Sequence, residues 1–297
     1  LIKIFNLNLP FFIYRKLRFS NDKSNISSRI IKIAVISVFL GVFVSLSAIS
    51  IGKGLQIAIK DKLYSLSPDL VISTYENNSR GIASEKINNF ECVNSEIKNA
   101  FPAIKFEKII EKPTLISVDN SFETIIFRGV NNGYNFKDLN KFIIGSKIKN
   151  DITNNEIIIS KSLSDKLKIL AGQNLTLYFQ VNNNQRIPNV RSFNVSHIYE
   201  TDFPDYDNNY IIGNLEILQN VYKWSKNDYA NIEISIEDKS QISLIEKSIS
   251  LLSSFEKNNL STKTVQSKYK NIFSWISIFD FNILIITFLM ILVAIIL

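Results

Sequence analysis

Two long apolar runs lie near the ends of the chain, and between them apolar and polar positions alternate over short stretches. Residues Ile30–Ile51, IIKIAVISVFLGVFVSLSAISI, contain fourteen Ile, Val, Leu and Phe and a single charge. As a helix they would extend about 33 Å, which exceeds a hydrocarbon core of about 30 Å. The second run, Phe281–Leu297, has no charge. The pattern predicts two transmembrane helices, residues 30–51 and 281–297.

The basic residues around the first run predict its orientation. Seven Lys and Arg residues lie before position 33, so residues 1–29 are expected in the cytoplasm and residues 52–280 outside it. A cleaved signal peptide is disfavoured, because the run is too long and follows 29 residues. The second run ends at Leu297 without a basic anchor, and the first residue is Leu. We therefore expect a C-terminally truncated piece of a longer membrane protein.

Residues 1–29 carry a second membrane signal. The stretch LPFFIYRKLRFS interleaves aromatic residues with Arg15, Lys16 and Arg18. This pattern is typical of a short basic amphipathic helix on the cytoplasmic leaflet. An ordinary basic flank of a membrane helix would look the same.

The first apolar run has a face of small residues. Ser37, Gly41 and Ser45 recur every four positions, and Ala48 lies beside them. Small residues at this spacing let a second membrane helix approach closely, which predicts a helix-packing face. The alternative is that Ser, Gly and Ala are simply common in membrane helices.

Helical periodicity continues beyond both runs. Leu55, Ile59 and Leu63 form an apolar stripe after the first run, which predicts a stalk helix over residues 52–68. Apolar residues recur at the same spacing over residues 265–280, which predicts a second stalk helix, with Trp275 near the membrane boundary. Two such helices would couple an outer domain mechanically to the membrane.

The outer region is predicted to be α+β. Residues 69–130 predict strands at 69–75, 104–118 and 122–130 and a helix at Ser84–Phe101 with Ser84 as N-cap. Residues 230–264 predict a strand at 230–237 and a helix at Lys239–Phe255. Together they suggest a split βαβ subdomain. Residues 131–229 predict a β-rich insert, with strands at 156–160, 174–181 and 190–199 and a short helix in SKSLSDKLKIL. The predicted fold class is therefore an α+β membrane protein.

One loop of the insert could recognise a partner. NNNQRIP separates two predicted strands, and an exposed tip with Asn, Arg and Pro is usually a solvated turn. Loops also carry recognition, so the tip is a candidate partner contact. Its residues are Gln185, Arg186, Ile187, Pro188 and Arg191.

Composition excludes several classes of function. The net charge is +7, but Lys, Asn and Ile dominate the whole chain, as in AT-rich genomes, so nucleic-acid binding is disfavoured. The single cysteine and single histidine, Cys92 and His197, exclude a disulfide framework and a Cys/His metal site. GKG at Gly52–Gly54 lacks the spacing of a phosphate-binding loop. No catalytic, cofactor-binding or metal-binding residue is predicted.

One acidic stretch partly matches the calcium-binding loop of an EF-hand. DFPDYDNNYIIGNLE places Asp205, Asp207, Asn209 and Glu216 at positions used by EF-hand loops, but Tyr210 stands where the turn requires glycine. Calcium binding is therefore not expected there.

Four segments, taken in order, resemble one family of permeases. They are PFFIYRKLRFS, IAVISVFLGVFVSLSAISIGKGLQIAIKDKLYSLSPDLVIS, NEIIISKSLSDKLKILAGQNLTLYF and RSFNVSHIYETDFPDYDN. The chain resembles the permease subunits of lipoprotein-releasing ABC transporters, the LolC/LolE family, in the form found in Bacteroidetes-type bacteria. Its superfamily includes the MacB-type efflux permeases and the cell-division permease FtsX.

The resemblance implies an architecture and partners. It implies four spans in the inner membrane and a large periplasmic domain between the first two, with a Porter-like βαβ part and a Sabre-like β-rich insert. A cytoplasmic ATPase would hydrolyse ATP, so the chain itself would not be an enzyme. A second permease subunit, membrane lipids, lipoprotein substrates and a periplasmic lipoprotein chaperone are the other expected partners. The third and fourth spans of the family are absent from these 297 residues.

Two other functions stay open. A MacB-type efflux permease or an FtsX-type mechanotransmission permease would share this architecture. A membrane sensor would instead use two spans to bracket a ligand-binding domain, and would continue into a cytoplasmic signalling domain where a permease continues into further spans.

Overall fold

The computed structural model describes residues 26–80, 85–102, 104–118, 121–149, 151–180 and 188–296. The chain divides into two compact units, which are described separately. One unit combines the part of the chain before Asp61 with the part after Tyr269, and the other is Asp61–Tyr269. The first unit is helical, and the second has mixed α/β structure.

The helices are α1 (Ile26–Leu66), α2 (Tyr75–Arg80), α3 (Phe90–Ala100), α4 (Lys161–Leu167), α5 (Pro204–Asp207), α6 (Leu215–Tyr222), α7 (Ile242–Ser250), α8 (Ser253–Lys257), α9 (Val265–Lys268) and α10 (Lys270–Ile296), with 3₁₀ turns at Leu139–Lys141 and Lys239–Gln241. The strands are β1 (Leu70–Thr74), β2 (Lys105–Val118), β3 (Ser121–Val130), β4 (Ile143–Ile144), β5 (Glu156–Ser160), β6 (Asn174–Phe179), β7 (Asn189–Tyr199), β8 (Tyr210–Asn214), β9 (Asn231–Ser235) and β10 (Leu260–Thr264).

The two long helices differ from their predicted bounds. The predicted span 30–51 and stalk 52–68 form one continuous helix, α1, which begins four residues earlier at Ile26. The prediction of one stalk helix over residues 265–280 is wrong at Tyr269, where φ −110° and ψ 38° interrupt the helix between α9 and α10. The hydroxyl of Tyr269 lies 3.0 Å from Ser67 Oγ, a contact that holds the residue at this interruption.

Strands from the two flanks of the outer region interlock. Strand β9 pairs antiparallel with both β1 and β2, so these two strands run parallel with β9 between them. Strand β1 pairs antiparallel with both β9 and β10, so β9 and β10 run parallel with β1 between them. In the chain, α3 connects β1 to β2, and α7 lies in the segment that connects β9 to β10. The result is two interlocked split βαβ units.

The strands of the predicted insert continue the same sheet. Across the described residues, ten strands form one sheet in the order β10-β1-β9-β2-β3-β8-β5-β7-β4, and β6 pairs with β2 and β7. Strand β8 joins the two halves, because it pairs parallel with β3 and antiparallel with β5. Glycine is required at position 213 of β8 by packing, since a Cβ there would clash with the Phe127 ring.

Buried apolar residues form three clusters around the sheet. One packs α3 and α7 on the interlocked strands, with Leu70, Ile97, Ile234 and Ile249 at 1% exposure or less. A second fills the insert half around Phe127. The third includes Leu66, the last residue of α1. All predicted strands are present, with ends that shift by up to two residues.

The predicted helices of the outer region are partly wrong. Residues 85–89 are not helical, and α3 begins at Phe90, because the backbone N–H of buried Ile87 donates to the carbonyl of Tyr229 at 2.8 Å. Ser84, the predicted N-cap, lies outside the described residues. The predicted helix 239–255 breaks between α7 and α8, where the N–H groups of Ser253 and Ser254 donate to Glu96. Helix α6 was not predicted.

Candidate functional site

Two helices of the described chain are long and apolar enough to cross a membrane, by length and composition. They are Lys32–Leu66, within α1, and Lys270–Leu292, within α10. Their apolar side chains are mostly exposed, including Phe39 at 66% and Leu284 at 63%. Large exposed apolar surface on both helices needs an apolar environment or a partner.

The predicted small-residue face borders a groove. Ser37, Gly41 and Ser45 line an apolar cavity of about 260 Å³ that is completed by Val38, Val42, Ile286, Leu289 and Met290. A Cβ added at Gly41 would meet no atom within 4 Å, so α10 does not use the close approach that the glycine permits. Ala48 is exposed and does not line the groove. Packing of another helix on this face stays a prediction.

The predicted stalk residues become more buried along α1. Leu55 is 45% exposed, Ile59 is partly buried, and Leu63 is 1% exposed. Leu63 is therefore a core residue of the mixed unit. Leu66, also on α1, is 8% exposed and belongs to one of its core clusters.

Polar contacts tie the end of α1 to the start of α9 at one place, which we call the base joint: Tyr64, Ser67, Asp69, Gln266 and Tyr269. Besides the Ser67–Tyr269 contact, Gln266 Nε2 donates to the Tyr64 hydroxyl at 3.3 Å. The backbone N–H of Val265 donates to the carbonyl of Asp69 at 3.1 Å. The base joint lies where the chain enters the sheet at β1 and leaves it after β10.

Asp69 is the buried centre of the base joint. It is 2% exposed, and its Oδ2 accepts from the Ile236 N–H at 2.7 Å and from Lys239 Nζ at 2.6 Å. The Lys239 ammonium also lies 5.3 Å from the centre of the Tyr64 ring, within the range of a cation–π contact. The Asp69 carboxylate thus links the start of β1 to the end of β9, and through Lys239 it is also connected to Tyr64 in the last turn of α1.

A buried ionic network crosses three neighbouring strands. Arg128 of β3 donates to Glu111 of β2 at 2.6 Å and to Glu233 of β9 at 2.5 Å. Burial opposes the charged guanidinium, but Glu233 and then Glu111 more than offset this effect, and the pKa of Arg128 is raised. Burial raises the pKa of Tyr134 beside it. We call Arg128, Glu111 and Glu233 the ionic network.

A polar cavity of about 150 Å³ lies beside the ionic network. Its lining combines the end of α1 with Arg128, Glu233, Glu107, Tyr134 and Tyr206. Burial, with a further contribution from Glu233, raises the pKa of Glu107. The lining carries charges of both signs, and two of its acidic residues, Glu107 and Glu233, are direct partners across β2 and β9.

The candidate partner tip is only partly described. Gln185, Arg186 and Ile187 lie outside the described residues. Pro188 is partly buried, while Arg191 is exposed on β7, where its Nε donates to Asn189 Oδ1 at 3.2 Å. A partner role for these residues stays a prediction.

An apolar patch lies on the strands that lead to this tip. Phe122 is 60% exposed and packs edge-on against Tyr178 at 5.1 Å between ring centres. Val190, which pairs with Tyr178 across β6 and β7, is 51% exposed.

The remaining predicted residues can be placed briefly. Arg15, Lys16 and Arg18 lie outside the described residues. His197 lies on β7, where burial lowers its pKa and Ser196 Oγ is 3.1 Å from its Nδ1. Asp207 is buried and accepts from Thr201 Oγ1 at 2.7 Å, which satisfies it internally. Among the described residues, no three His, Cys, Asp or Glu lie close enough to hold a metal ion.

Sequence reasoning missed the ionic network and the base joint. Glu111 and Arg128 stand in predicted strands, EKIIEKPT and ETIIFRG, as charges at positions that a sheet can bury. The sequence therefore shows that these charges stand in strands, but it does not show that β2, β3 and β9 are neighbours in the sheet. Ser67 and Tyr269 are 202 positions apart, and no local pattern connects them.

Comparisons place the chain among known proteins. Two of the similar solved structures illustrate this. One is the periplasmic region of MacB from Actinobacillus actinomycetemcomitans, with 15% identity, a TM-score of 0.45, and coverage of 71% of this chain and 95% of that one. The other is the extracellular domain of the noncanonic ABC-type transporter YknZ from Gram-positive bacteria, with 16% identity, a TM-score of 0.41, and coverage of 66% and 99%. No match was found among curated proteins.

The family comparison covers most of the chain. Residues 33–252 match the protein family described as the MacB-like periplasmic core domain. The match begins inside α1 and extends through β9 to the residues just after α7. The chain belongs to the family of the MacB-like periplasmic core domain.

Proposed function

We propose that this chain is part of a permease subunit of an ABC transporter that releases lipoproteins from the inner membrane toward a periplasmic chaperone. The observation that carries the permease part of the proposal is the family match over residues 33–252, which includes most of α1 and most of the mixed unit. In this proposal α1 and α10 span the membrane, and the mixed unit lies in the periplasm.

The proposed mechanism is mechanical. ATP hydrolysis takes place on a separate cytoplasmic ATPase, and closure of the spans displaces α1. Because Leu63 and Leu66 of α1 belong to the core of the mixed unit, a displacement of α1 would move the sheet through them. The base joint would carry the same displacement to α9, since Ser67 and Tyr269 are in contact.

The substrate class is supported by the resemblance to lipoprotein-releasing permeases. In this proposal the groove face at Ser37, Gly41 and Ser45 receives a helix of a second permease subunit. Residues 182–191 contact the chaperone, with Arg191 on the described part of that hairpin. The basic residues Arg15, Lys16 and Arg18 contact the cytoplasmic leaflet.

A MacB-type efflux permease is the second candidate, because the family description that the chain matches is MacB-like. An efflux permease would use the same helices and the same base joint. It would differ in its partners, which would be a periplasmic adaptor and an outer-membrane channel.

Purification of the full-length protein from native membranes in mild detergent tests the proposal. Mass spectrometry of the bound proteins should find a P-loop ATPase together with triacylated lipoproteins or a periplasmic lipoprotein chaperone. An ATPase with an adaptor and an outer-membrane channel would replace lipoprotein release by efflux. Absence of any ATPase, under conditions that keep a known transporter of the same membranes intact, would overturn the permease assignment.

A further inference from the structure

The first charges beyond the two apolar runs lie against each other. Lys53 follows the uncharged residues 33–52 of α1, and Asp280 precedes the uncharged residues 281–297. Lys53 Nζ lies 2.5 Å from Asp280 Oδ1. Trp275 and Phe279, which precede Asp280 by five residues and by one, pack edge-on with 4.7 Å between their ring centres. Aromatic residues are enriched at membrane boundaries, so Trp275 and Phe279 indicate that the Lys53–Asp280 ion pair lies at the outer boundary of the membrane.

A buried amide joins the same contact. Gln56 is 4% exposed, and its Nε2 donates to the Ile276 carbonyl and to Asp280 Oδ1, each at 3.3 Å. Lys53 Nζ in turn lies 3.4 Å from Gln56 Oε1. A polar group deprived of its partners in an apolar setting costs free energy. Separation of α1 from α10 at this level would leave both the amide and the carboxylate without these partners.

The helices also pack closely here and not further along. A Cβ added at Gly52 would lie 3.7 Å from Ile283 Cδ1, whereas one added at Gly41 would meet nothing within 4 Å. The groove of about 260 Å³ begins beyond this contact, toward Ser45 and Gly41. The two helices are therefore closed together at Lys53 and open at Gly41.

We propose that Lys53, Gln56 and Asp280 form a clasp that holds α1 and α10 in one register throughout the transport cycle. The two helices then transmit force as a single lever. This inference rests on the proposed function, because a lever has a role only in a protein driven by a motor. The three residues are positioning residues, since they act through the helices and do not contact substrate.

Cross-linking in two states of the cycle tests the clasp. The full-length permease with its ATPase, in a Cys92→Ser background, keeps the three clasp residues and carries Gly52→Cys and Ile283→Cys, since a Cβ at Gly52 would lie 3.7 Å from Ile283 Cδ1. A short bis-maleimide is added without nucleotide and after trapping with ATP and vanadate. A closed clasp gives the same yield in both states, to within about twofold. A matched pair, Ile59→Cys with Ile283→Cys, is shifted by seven residues, or about 10 Å, along α1 and should give little product in either state.

Two results of this experiment would overturn the clasp. A yield that falls about tenfold in one state would mean that the helices part, which describes a gate and not a lever. Equally low yields for the test pair and the shifted pair would mean that the contact is not formed in the transporter. Neither reading depends on which substrate is carried.

Charge reversal supplies a second measurement, in proteoliposomes that report both ATP hydrolysis and substrate release. Lys53→Asp and Asp280→Lys should each lower the substrate released per ATP by about fivefold. The double reversal should restore the ratio to within about twofold of the original protein. A merely structural role would change the amount of folded complex and leave the ratio unmoved.

Unchanged ratios in both single variants, or a double reversal as poor as either, would overturn the clasp. Failure of the proposed function has a different signature. If the original complex hydrolyses ATP but releases no lipoprotein, the substrate assignment fails, while the cross-linking yields still judge the clasp.

Discussion

The ionic network and the clasp both pair charges from distant parts of the chain, but their surroundings differ. The side chains of Arg128 and Glu233 are 8% and 7% exposed. Those of Lys53 and Asp280 are 52% and 50% exposed. Water competes for the second pair and hardly reaches the first. Similar distances, 2.5 Å in each, therefore stand for very different contributions to stability.

The difference indicates what each contact can do. A buried charge that loses its partner is strongly destabilising, so the ionic network requires β2, β3 and β9 to stay together. A half-exposed ion pair contributes little by itself, and at the clasp the buried amide of Gln56 supplies the geometric restraint. The ionic network thus penalises separation of its three strands, whereas the helix pair is held in register by a buried amide that an ion pair assists.

The largest expected effect comes from Arg128→Met. The substitution leaves the Glu111 and Glu233 carboxylates facing each other without their cation, and the free energy of unfolding should fall by about 3–5 kcal/mol. Denaturant unfolding of the purified chain in mild detergent measures this change. The exposed Arg191 provides the control, since Arg191→Met should change the free energy by about 0.5 kcal/mol or less. Equal losses in both variants would contradict a special role for burial.

A triple variant sharpens the same point. Adding Glu111→Gln and Glu233→Gln to Arg128→Met removes the two uncompensated charges. The triple variant should recover a large part of the loss, because a buried ion pair is often replaceable by neutral groups. If the triple variant is as unstable as Arg128→Met, the cost lies in packing and not in charge.

Asp69→Ala should have the next largest effect. It leaves the buried N–H of Ile236 without its acceptor and removes the partner of Lys239, which should cost about 1–3 kcal/mol of unfolding free energy. The exposed Asp61→Ala is the matched control. A loss no larger than that of the control would mean that the base joint does not depend on this carboxylate.

Local patterns predicted much of this molecule, and its polar contacts show where such prediction stops. In β9, NIEIS, the buried Ile232 and Ile234 alternate with polar residues, because every second side chain faces the same apolar cluster, and this strand was predicted. Periodicity also placed Ile249 on the buried face of α7. These features depend on neighbours within a few positions.

The missed features depend on pairings between distant segments. Glu96 accepts hydrogen bonds from the first N–H groups of α8, although it lies 157 positions before Ser253 in the chain. The sequence around Leu251 therefore gives no sign of the break between α7 and α8. Tyr269 looked like one more apolar position in a helix, yet it stands at the interruption beside Ser67. The clasp was missed for the same reason, although Lys53 and Asp280 could be recognised as the first charges outside two apolar runs.

Glu96 should give a smaller, pH-dependent effect. Hydrogen bonds from Ser254 and Ser253 lower the pKa of Glu96 below its usual value. The stabilisation is therefore complete above the unfolded pKa and is lost as pH falls through the folded pKa, over roughly pH 5 to pH 3. Glu96→Gln should lose about 0.5–1 kcal/mol at pH 7 and show less loss on acidification. Unfolding at several pH values measures both effects.

The exposed Glu237→Gln is the matched control for Glu96→Gln. Its pH profile between about pH 5 and pH 3 should follow that of the original protein. If Glu96→Gln follows the original profile equally well, the capping of α8 does not contribute to the acid sensitivity.

Asp280→Asn should have the smallest effect, and salt should distinguish it from Arg128→Met. Because the clasp ion pair is half-exposed, its loss should lower the free energy of unfolding only slightly, and only at low ionic strength. Screening at about 1 M salt reduces attraction between exposed charges, so most of this difference should vanish there, while the loss in Arg128→Met should remain. Unfolding of both variants at low and high salt measures the contrast. A salt-independent loss in Asp280→Asn would place its contribution in the hydrogen bond from Gln56 and not in the charge of Lys53.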